Sequence, residues 1–479
     1  MGHFWGALPA VRPHPACIVA VVKLETRLEK LTGLLEERAA ERRVPGASLA
    51  VMAGGEFFET ATGVVNANTG VEATTDSVFQ IGSITKTFTA TQVMQLVDEG
   101  RVELDTPVWN YMPEFHVGDA EATTSVTLRQ LLTHTSGIDG DFFEDTGRGE
   151  DCVERYLVAM RAVPQLYPPG AMFSYCNAGF VVLGRLIEKL TAKTWDKALR
   201  DSVLAPIGTD KMGTQPEEAI LHRAAVGHMP HPETKEPVVV PIWRLNPSNG
   251  PAGATPFATA RDLLRFARVH LDGGAAAGGA RVLSEASARA MRERQVELPD
   301  ASLASAWGLG FMLFDWGTPV FGHDGGTIGQ ASFLRIVPEH DAAVSLLTNG
   351  GDAQALYRDV FDAVLGELAG ISLPPLPEPD PHAAVGLERY TGRYERLSSR
   401  TDVELADGTL RFTTRGLRGM MRALPPQSGT LEPVNDRIFV ARVDGEESAL
   451  PAVAAFLEPD EAGRPGYVLS GGRVNPRVR

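Results

Sequence analysis

A proline-rich stretch separates two parts of the chain whose residue patterns differ. Five prolines fall within the eleven residues 371–381, and proline neither donates a backbone hydrogen bond nor continues a helix or a central strand. We therefore predict an extended, semi-rigid linker at 371–384. The 479 residues also exceed what one ordinary core accommodates. The predicted division is an N-terminal extension at 1–23, a large domain at 24–370 and a small domain at 385–479.

The part before the linker alternates helical and strand patterns. Residues 24–43 place leucines at helical spacing, and the apolar runs 47–53 and 56–63 flank a Gly-Gly pair, which is typical of a hairpin. Residues 307–314 are predicted to form one strand, and further apolar runs follow it. This order predicts an α+β domain, in which helices pack against an antiparallel sheet.

The part after the linker has a different pattern. Short strand-like runs alternate there with turns such as Ala406-Asp407-Gly408. The six runs are 391–394, 402–405, 409–413, 437–443, 452–457 and 466–469. Strands of this length and spacing predict a small antiparallel β-barrel.

Composition narrows the classes of partner. The net charge of −15 argues against nucleic acid or an anionic membrane as a partner, since like charges repel. No apolar run reaches the roughly 18 residues that a membrane span needs. Three scattered cysteines do not suggest a disulfide framework or a zinc site, and we expect no cofactor.

The N-terminus contains a seven-residue apolar run at 16–22, which is long enough for the core of a signal peptide. No small-x-small cleavage site follows it, however. We therefore expect residues 1–23 to form a poorly structured extension and the protein to be cytoplasmic, with a secreted or periplasmic location as the alternative.

Ser83 lies three residues before Lys86, where a strand-like run passes through Gly82 into a helical pattern. Residues three apart on a helix share one face. A serine becomes a good nucleophile when a neighbouring base takes its proton, and a lysine amine is such a base only if its pKa is lowered. An exposed helical lysine that follows a serine is the alternative interpretation.

Two further stretches contain residues suited to acyl-transfer chemistry. Tyr175 and Asn177 stand two apart before an apolar helix, although a buried structural tyrosine would give the same pattern. The stretch 319–329, which contains His323 and the glycines after it, ends another predicted strand. The loop 139–151 holds six acidic residues, which indicates either a solvated loop or a flap over a cleft.

These three motifs occur in one order, Ser83-Ile84-Thr85-Lys86, Tyr175-Cys176-Asn177 and His323-Asp324-Gly325. In this order, residues 25 to 370 resemble the serine β-lactamase and D-alanyl-D-alanine peptidase superfamily, in particular its class C-like branch. The resemblance implies a β-lactamase/transpeptidase-like fold with an all-helical lobe beside the sheet.

The resemblance also implies roles for the motif residues. Ser83 would attack an acyl carbonyl, while Lys86 and Tyr175 would share its proton, and which of the two is the base stays open. Asn177 would hydrogen-bond either Lys86 or the substrate amide. The backbone N–H groups of Ser83 and Gly326 would form the oxyanion hole, and Gly325 would line the substrate site.

His323 departs from the β-lactamase pattern, in which a lysine of the K-T-G motif provides a permanent cation. A histidine with its usual pKa of about 6.5 provides that charge only in part at neutral pH. This histidine resembles that of esterases, D-peptidases and the penicillin-binding-protein-type thioesterases that cyclise nonribosomal peptides. The small domain resembles the lipocalin-like domain of several such enzymes. Its Arg473 would hold a substrate carboxylate or, alternatively, form a surface salt bridge.

We therefore predict a serine hydrolase or acyltransferase that releases and macrocyclises a peptidyl chain or cleaves peptides at a D-residue. Its substrate would be a peptide-like or ester small molecule, with carrier-bound and thioester-activated forms included. A carboxylesterase for simple esters and a penicillin sensor without turnover are the alternatives, and the oligomeric state stays open.

Overall fold

The described residues cover nearly all of the chain after the N-terminal extension. The computed structural model of the protein describes residues 23–209, 211–299, 303–380, 382–383, 385–419, 422, 424–445 and 452–478. The predicted extension at 1–23 lies outside the described residues, except for Lys23.

Thirteen strands precede the proline-rich stretch within the described residues. They are β1 (Gly46–Ala53), β2 (Glu56–Asn66), β3 (Val71–Glu72), β4 (Phe79–Gln80), β5 (His228–Pro230), β6 (Pro237–Val239), β7 (Phe257–Ala258), β8 (Val296–Glu297), β9 (Ala306–Trp307), β10 (Met312–Asp315), β11 (Pro319–Thr327), β12 (Gln330–Val337) and β13 (Ala342–Thr348). Nine of them form one sheet in the order β3-β2-β1-β13-β12-β11-β10-β9-β8, and all of its pairings are antiparallel.

Helices flank this sheet and build a helical lobe beside it. They are α1 (Leu24–Leu28), α2 (Lys30–Glu41), α3 (Thr85–Asp98), α4 (Val108–Tyr111), α5 (Ala120–Ser125), α6 (Leu128–Leu132), α7 (Cys152–Ala159), α8 (Asn177–Thr191), α9 (Trp195–Leu199), α10 (Ala205–Ile207), α11 (Pro216–Ala219), α12 (Ala260–Leu271), α13 (Glu285–Ala290) and α14 (Ala353–Ala369). The predicted α+β class is confirmed. No helix among the described residues is long and apolar enough to cross a membrane.

The centre of the sheet is buried on both faces. Strand β1 is buried along almost its whole length. It pairs with β13, where Leu49 lies opposite Leu346 and Val51 lies opposite Val344. Contacts of α12 with β1 and β13 and of α14 with β13 cover it. This explains why the run 47–53 is continuously apolar rather than alternating.

The strand predicted at 307–314 is two strands, so that prediction is wrong. β9 ends at Trp307 and β10 begins at Met312, and these two residues pair antiparallel. The chain reverses between them at Gly310, which has a φ of +86°. A residue with a side chain rarely adopts that φ, so the glycine permits the reversal that an apolar pattern does not reveal.

Eight strands after the proline-rich stretch form a nearly closed antiparallel barrel. They are β14 (Gly392–Arg396), β15 (Ser399–Ala406), β16 (Thr409–Gly416), β17 (Gln427–Pro433), β18 (Ile438–Val443), β19 (Ala452–Pro459), β20 (Pro465–Ser470) and β21 (Arg473–Pro476). Each pairs with the next, and the N–H of Val478 donates to the carbonyl oxygen of Arg393 at 2.8 Å to join the last strand to the first. The predicted barrel is confirmed, with two strands, β17 and β21, that the apolar pattern missed.

The barrel packs directly on the large domain. Ala455, Leu469 and Val474 of the barrel belong to the same buried apolar cluster as Phe173 and Tyr175. Among the described residues, 371–380 and 382–383 contain no helix or strand. The boundaries given for the linker and the two domains stay predictions, whereas the contact between barrel and sheet domain is a feature of the structure.

Candidate active site

Ser83 and Lys86 meet at the start of a fully packed helix. Ser83 lies in a 3₁₀ turn, Gly82–Ile84, that leads into α3. The Nζ of Lys86 donates to Ser83 Oγ at 2.9 Å and to the carbonyl oxygen of Ala252 at 2.5 Å. Lys86 is completely buried, so the alternative of an exposed helical lysine is wrong.

Burial lowers the pKa of Lys86 well below its ordinary value, and the positive charge of Arg473 lowers it further. The carboxylate of Asp141 acts in the opposite direction. A low-dielectric site disfavours the ammonium because it removes the water that solvates the charge. In its neutral form the amine has a lone pair, and Nζ lies 2.9 Å from Ser83 Oγ, within reach of the Ser83 proton.

Tyr175 lies between the side chains of Lys86 and Arg473. Its ring centroid is 4.9 Å from Lys86 Nζ and 4.7 Å from Arg473 Cζ. Burial raises the pKa of its phenol, while the neighbouring Ser83 hydroxyl and Arg473 oppose that rise. Tyr175 is therefore a neutral phenol at neutral pH. Its backbone N–H donates to the carbonyl oxygen of Gly472 at 2.8 Å, so the barrel helps to hold it.

The backbone of β11 at Gly325 and Gly326 packs closely against the turn that holds Ser83. A Cβ on Gly82 would lie 2.5 Å from the backbone nitrogen of Gly326, and Gly82 has a φ of +48°. A Cβ on Gly325 would lie 1.9 Å from the carbonyl oxygen of Ile81. Side chains at either position would push β11 away from the Ser83 turn. The backbone of Gly326 thus lies next to the residue that precedes Ser83, as the predicted site requires.

His323 is buried in β11 and carries no charge at neutral pH. Burial lowers its pKa to about 3, and the positive charge of Lys86 contributes. Its Nδ1 donates to the carbonyl oxygen of Asp324 at 2.5 Å, which leaves Nε2 as an acceptor. The expectation of a partial positive charge at this position is therefore wrong, because it used the pKa of a solvated imidazole.

No hydrogen bond joins Asn177 to Lys86 among the residues that the structure describes. Asn177 Nδ2 donates instead to Asp141 Oδ1 at 2.9 Å. Asn177 is the first residue of α8, and the N–H of Ala178 donates to the carbonyl oxygen of Gly140 at 3.0 Å, which brings the acidic loop onto this helix. The predicted hydrogen bond between Asn177 and Lys86 is thus not formed among the described residues, and the bond to the substrate amide stays a prediction.

Arg473 lies in this site rather than on a remote surface. It begins β21, directly after the Gly471-Gly472 turn of the barrel. Its Nε is 3.3 Å from Asp141 Oδ2, and its side chain is 31% exposed. Its Nη1 donates to the carbonyl oxygen of Gly471 at 2.7 Å, so the guanidinium is held from two directions beside Tyr175 and stays partly exposed.

Three residues to which the sequence prediction gave no role in the site belong to this arrangement. Asp141 is 10% exposed in its side chain, and Asp139 is completely buried, so the interpretation of 139–151 as solvated is wrong for both. His134 stacks on Tyr175 with centroids 4.2 Å apart, and its Nδ1 accepts from the N–H of Cys176 at 2.9 Å. The glycine between Asp139 and Asp141 was the available signal, since it indicates close backbone contact.

Comparisons with known proteins agree with this geometry. The family model described as Beta-lactamase matches residues 31–367. Penicillin-binding protein 4 of Amycolatopsis lactamdurans is 48% identical over 364 residues, which cover 74% of this chain and 94% of that protein. Esterase EstB of Burkholderia gladioli is 27% identical over 315 residues, which cover 59% of this chain and 78% of that protein.

A solved structure extends the similarity to the barrel. The crystal structure of SurE with D-Leu matches with a TM-score of 0.73 and 30% identity. The match covers 95% of this chain and all of that chain. The similarity therefore includes both the large domain and the barrel.

Proposed function

The chain belongs to the beta-lactamase family and is a serine hydrolase of that fold, and we propose that its acyl donors are peptide-like amides, esters or thioesters. In its most specific form, the reaction releases a peptidyl chain as a macrocycle or cleaves a peptide at a D-residue. The position of Arg473, a barrel residue whose guanidinium lies on the Tyr175 ring, carries this proposal.

Acylation begins at Ser83. Lys86, with its lowered pKa, takes the hydroxyl proton while Oγ forms a bond to the acyl carbon. The backbone N–H groups of Ser83 and Gly326 stabilise the oxyanion. Tyr175, a neutral phenol, gives its proton to the departing amine, alcohol or thiol, and the proton held by Lys86 replaces it. The bond between the acyl carbon and the leaving group then breaks.

The acyl-enzyme is resolved by the same groups in reverse. Water, or the terminal amine of the bound peptide, attacks the acyl carbon and loses one proton to the base formed by Lys86 and Tyr175. The bond between Ser83 Oγ and the acyl carbon breaks, and the proton returns to Oγ. Attack by water gives hydrolysis, whereas attack by the chain's own amine gives a cyclic amide.

The charges of the site favour peptide-like donors over β-lactams. Burial keeps His323 neutral, so β11 offers no cation at the position where β-lactamases have one. The cation next to Tyr175 is Arg473, which comes from the barrel. We infer that Arg473 binds an anionic end of the substrate, such as a carboxylate. The relative solved with bound D-Leu supports a D-residue at the acyl position.

The test is incubation with a peptidyl thioester that carries a D-residue at the acyl position, together with its L-epimer. We expect a mass adduct on Ser83 and hydrolysed or cyclic product from the D-epimer. Ser83→Ala is the matched control and should give neither. Absence of both adduct and product with the parent protein would contradict the proposal.

A penicillin sensor is the second candidate, because the relative that is 48% identical is named a penicillin-binding protein. This function predicts a Ser83 adduct with penicillin that persists for hours and no turnover of the thioester. A carboxylesterase, suggested by the relation to EstB, would instead turn over short p-nitrophenyl esters much faster than any peptide. The same assay on three substrates therefore separates the three functions.

A further inference from the structure

Asp141 connects the catalytic motif of the large domain to two arginines of the barrel. Its Oδ1 accepts from Asn177 Nδ2 at 2.9 Å, and its Oδ2 accepts from Arg396 Nη1 at 2.8 Å. Arg473 Nε lies 3.3 Å from the same Oδ2. One carboxylate thus contacts three side chains from three separate segments of the chain.

The backbone around Asp141 is fixed against the start of α8. A Cβ on Gly140 would lie 2.3 Å from the Cα of Cys176 and 3.0 Å from the backbone nitrogen of Asn177. The loop therefore touches the motif backbone directly, and a residue larger than glycine would separate them. The carboxylate also lies at the N-terminus of a 15-residue helix, where the helix dipole favours negative charge.

Asp141 is ionised although it is buried. Burial raises the pKa of its carboxyl, but Arg473, Arg396 and the Asn177 amide outweigh burial, and the net pKa is below the usual value. An ionised carboxylate has only acceptor atoms. Any group of Asn177 that faces Asp141 must therefore be the N–H₂ end of the amide.

This contact determines what Asn177 offers on its other side. Because Nδ2 faces Asp141, the carbonyl oxygen Oδ1 points away from it. Lys86 Nζ already donates to Ser83 Oγ and to the Ala252 carbonyl, and no hydrogen bond joins it to Asn177 among the described residues. Asn177 Oδ1 is thus available as an acceptor for a substrate N–H.

We propose that Asp141 is a positioning residue that fixes the orientation of Asn177, so that the enzyme recognises an amide N–H of the acyl donor. The inference rests on the proposed function, since it specifies the substrate class of the same site. It adds that the donor is recognised through the N–H of the residue that bears the acyl carbonyl. The barrel takes part because Arg396 and Arg473 keep the Asp141 carboxylate ionised in a buried position.

A purely structural role would make Asp141 one of several groups that dock the barrel. Asp139 is such a group, because its Oδ2 accepts from the N–H of Leu397 at 2.6 Å and its Oδ1 is 3.9 Å from Arg396 Nη1. No hydrogen bond joins Asp139 to Asn177 among the described residues. Asp139→Asn is therefore a matched control for Asp141→Asn, with the same change in the same loop.

The experiment compares two thioesters in the full-length protein. One carries an amide N–H on the D-residue that bears the acyl carbonyl, and its depsipeptide analogue has an ester oxygen in place of that N–H. We expect Asp141→Asn to lower kcat/KM about tenfold for the amide, the equivalent of one buried hydrogen bond, and to change it less than threefold for the depsipeptide. Asp139→Asn should leave the ratio of kcat/KM for the amide to kcat/KM for the depsipeptide as it is in the parent protein.

Equal losses on both thioesters in Asp141→Asn, or the same change of ratio in Asp139→Asn, would overturn the inference. Asn177→Ala provides an independent test if Asp141→Asn does not fold, because it removes the acceptor without touching the carboxylate. Asn177→Ala should lower the ratio of kcat/KM for the amide thioester to kcat/KM for the depsipeptide to a similar extent. An unchanged ratio overturns the inference. Asp141→Asn added to Asn177→Ala should not change the ratio further.

Different results would contradict the proposed function and the role of Asp141. If the parent protein acylates Ser83 with neither thioester, then the proposed function fails and this inference fails with it. If the parent protein uses both thioesters with equal efficiency, or if the variants keep the parent ratio, then only the role of Asp141 is wrong.

Discussion

Lys86 and two of the buried histidines, His323 and His270, show how burial sets the charge of a side chain. Lys86, His323 and His270 are completely buried, and burial is the largest cause of the lowered pKa of each. The same physical effect has a different use at each position. It lowers the pKa of Lys86 beside Ser83 and leaves His323 Nε2 as a hydrogen-bond acceptor. His270 instead lies among Phe266, Phe311 and Phe321.

Replacing Lys86 with arginine tests whether a lowered pKa is what the site needs. A guanidinium stays protonated in proteins, so it cannot accept the Ser83 proton. We expect Lys86→Arg to reduce turnover almost as far as Ser83→Ala does. Ser83→Ala itself should leave the thermal unfolding temperature of the parent protein almost unchanged. Turnover and acyl-enzyme mass measure the effect. A near-normal rate in Lys86→Arg would show that another group is the base.

His270 makes stability depend on pH. Burial lowers its pKa to about 3, and neither ring nitrogen has a hydrogen-bond partner among the described residues. Below pH 6.5 the unfolded chain binds a proton that the folded protein does not, so the free energy of unfolding falls as the pH drops from 6.5 toward 3.

His270→Leu should remove that dependence. We expect the variant to gain about 2 kcal/mol more in unfolding free energy at pH 5 than at pH 8, because 1.5 pH units below the ordinary pKa correspond to about that energy. Urea unfolding at the two pH values measures the difference, and turnover at pH 8 should be unchanged. A gain that is equal at both pH values would show that His270 titrates normally.

At the scale of elements, β11 shows what a sequence pattern can predict. The order of the motifs predicted that His323 and the glycines after it belong to the site. In the structure these glycines approach the backbone of the Ser83 turn, which few other residues would permit. The loop at 139–151 was interpreted less well. Its acids have the composition of a solvated loop, and their burial depends on Arg396, which lies 255 positions from Asp141 in the chain. Local periodicity contains no information about so distant a partner.

The register of β11 also depends on a buried ion pair on its neighbour. Arg335 of β12 is 1% exposed, and its two Nη atoms donate to Asp324 at 2.6 and 3.2 Å. Its guanidinium also lies 4.2 Å from the Phe314 ring. The pair lies next to His323 and joins the two strands by side chains in addition to their backbone pairing.

Asp324→Asn should destabilise the protein by about 3 kcal/mol, since removing one partner leaves a buried arginine charge unpaired. The matched control is Glu297→Gln, which breaks the exposed pair with Arg294 and should cost less than about 1 kcal/mol. Chemical unfolding measures both. Equal effects would show that Arg335 finds another partner and that the pair does not hold β11.

At the scale of the whole molecule, the site belongs to two domains. Ser83, Lys86, Tyr175, Asn177 and His323 come from the large domain, and their order in the sequence was enough to place them in one predicted site. Arg473 was predicted only because the barrel resembles that of known enzymes, and Arg396 was not predicted at all. A contact between domains is set by surface shape and by backbone hydrogen bonds, neither of which leaves a periodic pattern.

A further contact between the barrel and the large domain lies where β21 begins. The N–H of Val474 donates to Ser174 Oγ at 3.1 Å, next to the bond from the Tyr175 N–H to the Gly472 carbonyl. Val474 is completely buried in the apolar cluster that both domains share. Val403 is 2% exposed but packs in the barrel's own core. The two valines thus have similar burial and different neighbours.

Truncating each valine separates positioning from stability. Val474→Ala and Val403→Ala should each cost about 2 kcal/mol in unfolding free energy, because each loses buried methyl groups and leaves a cavity. Only Val474→Ala should also lower kcat/KM for a peptidyl thioester severalfold, since the cavity lets the Gly472 turn and Arg473 shift relative to Tyr175. Steady-state kinetics at a temperature where both variants are folded measures this. If Val403→Ala loses as much activity as Val474→Ala, activity follows barrel stability, and the contact at Val474 has no separate role in holding the site.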